Sequence, residues 1–181
     1  MGRRRRRDRP SRGAAHAVPD KPGRVDFSVD CQVDFYVLAE SAPSAEQLAC
    51  RLSLMAWEQG HRVSVLTPDE NAARSLDELM WNYPAGRFLP HERTGPGLGT
   101  EGQGDAVWAA PVSIVASADL VGADRDVVVN LGDTAVPQPG RFRRLLEIVP
   151  AAPHMREASR DKFRHYLRLG LRPVKHDIQN F

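Results

Sequence analysis

Cysteine is nearly missing from this chain of 181 residues, which has only Cys31 and Cys50. Two cysteines make neither a disulfide framework nor a zinc site, and a reducing cytoplasm suits them. Apolar runs fall far short of the ~20 residues a membrane span needs. The arginines near the start are not followed by an apolar stretch of the secretory type, so export is not expected. Histidines at 16, 61, 91, 154, 165 and 176 form no H-E-x-x-H pattern and have no cysteine partners at ligand spacing. That speaks against a metal site. There is no G-x-S-x-G elbow, and a dyad of Cys31 or Cys50 with a histidine has no motif behind it. Cys50 falls in an apolar helical stripe and reads as a small packing residue. The expectation is a non-catalytic cytoplasmic protein with no cofactor, metal or small-molecule substrate.

Acidic residues are scarce at the N-terminus. Residues 1–24 hold nine Lys and Arg against Asp8 and Asp20, a balance of +7, so the remainder of the +2 chain carries −5. This Arg-, Pro- and Gly-rich stretch has almost nothing to bury, and residues 1–30 are expected to be a disordered extension. It could adhere loosely to nucleic acid or to acidic protein surfaces.

From residue 31 to 181 the pattern is that of a single α/β domain. "VDFYVLA" (33–39) reads as a strand. "SAEQLACRLSLMAWEQG" reads as a helix with a Ser44–Gln47 capping box and Gly60 at its C-terminal stop. "HRVSVLT" (61–67) is a second strand. The helix after it is expected to have Thr67 as N-cap, Pro68 in the first helical position and Glu70 in the third. "PVSIVAS" (111–117) and "DVVVNLG" (126–132) are further strands. A short helix is expected at about 140–147 ("GRFRRLLE"), and a basic helix closes the domain. Strand and helix alternate, which argues for right-handed crossovers onto a mostly parallel, Rossmann-like sheet with helices on both faces. A fold of that kind does not by itself imply a nucleotide. The glycine-rich loop at 94–104 neither directly follows a strand nor opens an evident helix, and G-K-[ST] is missing, so it reads as a surface loop.

Two stretches ask for a partner. Trp81, Tyr83, Phe88 and Pro90 crowd a helix end and the proline-broken segment behind it. Some of these pack down, but four are hard to bury together, and exposed Trp and Phe anchors suit a protein interface. The second stretch is "MREASRDKFRHYLRLG" (155–170). At 100° per residue, Met155, Ser159, Phe163, Tyr166 and Leu167 share a broad face. Arg156, Arg160 and Arg164 form the adjoining row, with Phe163 at the seam. The arrangement is either an amphipathic helix with a solvated basic edge or a shallow aromatic pocket ringed by guanidinium groups. The second form suits a peptide that carries carboxylates and an apolar end.

The blocks "VDFYVLAESAPSAEQLACRL", "RVSVLTPDENAARSLDELMWNYPAGRFLPHE", "DVVVNLGD" and "SRDKFRHYLRLG" together resemble the chi subunit family of the bacterial DNA polymerase III holoenzyme, from about residue 33 to 175. The resemblance implies a nucleotide-free α/β accessory subunit joined to the clamp-loader complex through the psi subunit. It also implies that the acidic C-terminal tail of single-stranded DNA-binding protein is a partner, and that contact with DNA is indirect. By position, the tail pocket would use Val149, Arg156, Arg160, Phe163 and Arg164, and the psi surface Trp81, Phe88 and Pro90. The Arg-rich extension departs from the family pattern. The other reading is a direct nucleic-acid-binding module that uses the extension and the basic helix. Such a module wants phosphate contacts over a broad positive surface, whereas the chain beyond residue 24 is net acidic.

Overall fold

The computed structural model describes residues 31–96 and 109–180. The extension 1–30 and residues 97–104 of the glycine-rich loop lie outside the described residues. Among the described residues there are seven strands, β1 (Gln32–Leu38), β2 (Val63–Leu66), β3 (His91–Arg93), β4 (Val112–Val115), β5 (Val127–Asn130), β6 (Arg144–Val149) and β7 (Val174–Ile178). Three α-helices join them, α1 (Ala45–Glu58), α2 (Glu70–Met80) and α3 (Pro153–Arg168). The strands form one sheet in the order β3-β4-β2-β5-β6-β1-β7, and every ladder is parallel. The expected Rossmann-like α/β class is the one observed.

Crossover handedness explains the two layers. From β1 to β2 and from β2 to β3 the chain moves toward the β3 edge, through α1 and α2. From β4 onward it moves back toward β7, through α3 at the last step. Right-handed connections that run in opposite directions must lie on opposite faces. Accordingly Leu48, Leu54, Leu76 and Met80 of α1 and α2 pack on Val63, Val65, Val129 and Ile148. Tyr166 of α3 packs on Phe35, Val128, Leu145 and Val149 from the other side. Alternate strand residues supply the two cores, as the period of two requires.

The α1 start has the expected capping box. Ser44 Oγ accepts from the Gln47 amide and Gln47 Oε1 accepts from the Ser44 amide. Gly60 follows its C-cap at φ +85°, a conformation that favours glycine. Cys50 is fully buried in the α1 core, and its thiol is pushed up to about 12 by burial.

Three expectations need correction. The N-cap of α2 is Asp69, which accepts from the Ala72 amide at 2.8 Å, and not Thr67. Thr67 Oγ1 is turned inward, where it donates to the carbonyls of Val115 and Asp69. Residues 140–147 do not form a helix: a 3-10 turn at Pro139–Arg141 is followed by β6. "RLLEIV" has fair helix propensity, but its place between β5 and β1 buries both faces and decides the outcome. Nor does the basic helix close the domain, because β7 follows it and pairs with β1.

Candidate functional site: a cationic cleft beside α3

β1 and β6 are neighbours whose following helices lie on opposite faces of the sheet. This is a switch point of the kind where α/β proteins form clefts beyond the carboxyl ends of their strands. On the α3 face a cleft of about 250 Å³ opens here. Phe35, Val37, Val149 and Phe163 line its apolar part, and Arg156, Arg160 and Lys175 supply its cations. The Phe163 ring meets Phe35 edge-on, with centroids 5.2 Å apart.

Proline at the first helical position starts α3, and no side chain caps it. What holds the helix in place is a buried polar cluster. Glu147 is fully buried in β6. Its carboxylate accepts from Lys162 Nζ at 2.6 Å, from the Tyr166 hydroxyl at 2.6 Å and from Asn130 Nδ2 at 3.1 Å. Lys162 also donates to the Gly132 carbonyl at 2.7 Å, and the Val136 amide donates to the Tyr166 oxygen at 2.8 Å. Burial, reinforced by the Glu147 charge, raises the Tyr166 hydroxyl far above its ordinary range. The helix face that meets the sheet is therefore Ser159, Lys162 and Tyr166. Leu167, expected on that face, is exposed. With Lys162 turned inward, Arg156 and Arg160 point to the cleft.

Two polar atoms by the cleft lack partners among the described residues. One is Oγ of Ser159, a residue only 4% exposed, and the other is Nε of Arg156. Buried polar atoms are seldom left so. The Arg156 guanidinium is steadied from its other end, where Nη2 donates to the Leu38 carbonyl at 3.2 Å. Arg160 has no ion pair among the described residues.

Of the residues singled out in the sequence, the structure thus brings Val149, Arg156, Arg160 and Phe163 to one cleft. Arg164 is not among the lining residues, since its guanidinium is turned to Asp161 on the exposed surface. Phe35, Val37, Ser159 and Lys175 were not anticipated. Phe35 and Val37 could have been found from strand alternation alone, which sets them on the same face of β1. Lys175 could not, because its strand is polar and short.

A second surface lies at the far end of α2. Trp81, its C-cap, is 60% exposed and Phe88 is 65% exposed, with ring centroids 6.2 Å apart. Pro90 is half-buried and Tyr83 packs partly into the α1–α2 core. The His91 ring lies beneath Trp81, with centroids 4.8 Å apart. Its Nδ1 faces the Leu89 carbonyl at 2.7 Å and its Nε2 the Asp77 carbonyl at 3.2 Å. The imidazole thus ties the irregular segment to α2 and presents the indole outward. Among the described residues no group of three or more His, Cys, Asp or Glu is placed to hold a metal ion. No helix there is long and apolar enough to cross a membrane.

The fold and these surfaces define an all-parallel α/β protein that displays a cationic, aromatic-floored cleft and a separate aromatic patch. Residues 31–173 match the model of the family described as DNA polymerase III chi subunit, HolC. The chain belongs to this family, and with it to the accessory subunits of the replicative polymerase. It is 38% identical over 140 residues to the DNA polymerase III subunit chi of Pseudomonas aeruginosa, covering 77% of this chain and 91% of that one. Identity to the Escherichia coli subunit is 28% over 137 residues, covering 73% of this chain and 88% of the other. The crystal structure of T4 UvsW superposes with a TM-score of 0.62 at 11% identity, over 84% of this chain and 42% of that one. That likeness concerns the fold alone.

Proposed function

We propose that the protein is a non-catalytic connector in DNA replication. The cleft beside α3 takes the acidic C-terminal tail of single-stranded DNA-binding protein, and the Trp81 patch takes the psi subunit of the clamp loader. The observation that carries the tail assignment is the cleft itself, with an apolar floor between cations. A ligand with an apolar end and carboxylates satisfies both at once. In this reading the terminal ring of the tail rests on Phe163, Phe35 and Val149. Its carboxylates meet Arg156 and Arg160, and Arg164 adds attraction from the next turn.

The patch supports a second, simultaneous contact. It lies near the β3 edge of the sheet, while the cleft adjoins β1 and β7 on the opposite face. From β3 to β1 there are five strand steps, about 24 Å at ~4.8 Å each. Neither ligand obstructs the other, so the clamp loader and the protein coating single-stranded DNA are joined without direct DNA contact. The work is done in the cytoplasm and needs no cofactor.

Calorimetric titration with a synthetic acidic peptide ending in phenylalanine tests the cleft. Arg160→Ala is expected to weaken binding about tenfold or more, as loss of a charge-assisted contact does. Wild-type binding should weaken with added salt. Phe163→Ala should lose affinity with much less change in that salt dependence, since it removes apolar contact. Undiminished binding by both variants, or by a peptide without its terminal aromatic, would reject the assignment.

A further inference from the structure

The cleft has a second cationic wall, and it comes from a strand. Lys175 stands opposite Phe35 in the β1–β7 ladder, so its side chain leaves the sheet on the α3 face. There it lines the cleft with Arg156 and Arg160. Its amine is held by Asp177, two residues on and on the same face, at 2.7 Å. Both partners are more than half exposed, and an ion pair of that kind is weak and readily exchanged. On the opposite face the polar side chains near β7 are already engaged. Arg144 and His176 both reach the buried Asp34 carboxylate, each at 2.8 Å. Among the described residues that line the cleft, Lys175 is the cation that comes from the sheet, and a ligand can recruit it.

We propose that Lys175 is a specificity-determining residue that selects partners with acidic residues ahead of their apolar end. Asp177 is its intramolecular competitor and occupies the amine until a ligand carboxylate displaces it. The proposal rests on the acidic-tail reading of the cleft and extends it. A peptide whose apolar end lies on Phe35 and Phe163 has α3 along one side and β7 along the other. A single terminal carboxylate is satisfied by the arginines. Further carboxylates gain from the opposite wall only if they outcompete Asp177, so affinity rises with acidic content and discriminates against neutral tails.

The test uses the full chain and two synthetic peptides, titrated calorimetrically at low and high salt. Both end in phenylalanine with a free carboxylate; one is preceded by several aspartates and the other by glycine and serine. Lys175→Met keeps the aliphatic stem and is expected to weaken the aspartate-rich peptide about five- to tenfold at low salt. It should leave the neutral peptide unchanged. Lys175→Arg should restore the difference between the peptides, and Asp177→Asn should tighten the aspartate-rich one about two- to threefold. If Lys175→Met binds both like wild type while Arg160→Ala weakens them, the β7 wall is wrong and the cleft stands. Equal loss for both peptides would mean that Lys175 shapes the cleft without reading charge, and would overturn the proposal. Failure of the aspartate-rich peptide to bind wild type would remove the proposal and the cleft reading together. Displacement of the peptide by a single-stranded oligonucleotide, lost in Lys175→Met, would reassign the residue to phosphate and overturn it too.

Discussion

Lys162 and Glu147 meet between α3 and the sheet, where neither has access to water. Removing one partner strands the other charge, so Lys162→Met is expected to cost about 3–5 kcal/mol. Removing both, with Glu147→Leu added, should recover much of that loss. Urea unfolding of the two single variants and the double variant measures the coupling, and simple additivity would contradict it. Asp34 behaves differently because its partners reach solvent. Burial alone would raise its carboxyl, but bonds from His176, Arg144 and Gln32 outweigh this and the net shift is downward from 3.8. A folded-state value below the unfolded one adds stability above the ordinary carboxyl range, and that stability is lost as pH falls through the lowered value. Asp34→Asn should therefore cost about 1–3 kcal/mol at neutral pH, with the gap to wild type closing below pH 3.8. An equal gap at pH 7 and in acid would show that the charge contributes nothing. Neither buried charge could be recognised in the sequence. A lone Glu in "RLLEIV" and a lone Asp in "QVDFYVL" look like solvated residues until tertiary pairing closes around them.

At the scale of elements, local chemistry decided what could be read. α1 carries its own start and stop in Ser44, Gln47 and Gly60, and these act within a few residues. β6 has no such autonomy, because its strand state depends on β5 and β1, which are distant in the chain. β3 and β7 are edge strands of mixed polarity, "HER" and "VKHDI", with no apolar alternation to reveal them. The cleft was half legible for the same reason: its helical wall follows a 3.6-residue period, whereas its floor and far wall depend on strand pairing. The end of α2 supplies a prediction at this scale. Trp81 is the C-cap, but its ring points outward over His91. If the patch takes psi as proposed, Trp81→Ala should keep a near-normal thermal midpoint and abolish co-purification with psi, a truncation of the kind that costs about 2–4 kcal/mol in binding. A variant that unfolds outright would show the indole to be part of the core.

For the whole molecule in the proposed connector role, the separation of the two surfaces matters more than the strength of either. A connector that holds one ligand raises the local concentration of the other, and two modest contacts can yield a combined avidity about 10²–10⁴ above either one. A rigid sheet fixes the span between them. The same sheet has a consequence in time. β1, near the start of the described chain, is flanked on one side by β6 and on the other by β7. During synthesis the first strand leaves the ribosome long before its neighbours exist, with both of its hydrogen-bonding edges open. It can be enclosed only when the last residues of β7 have emerged, so the C-terminal segment acts as the clasp that ends a long interval of exposure to chaperones and to mispairing.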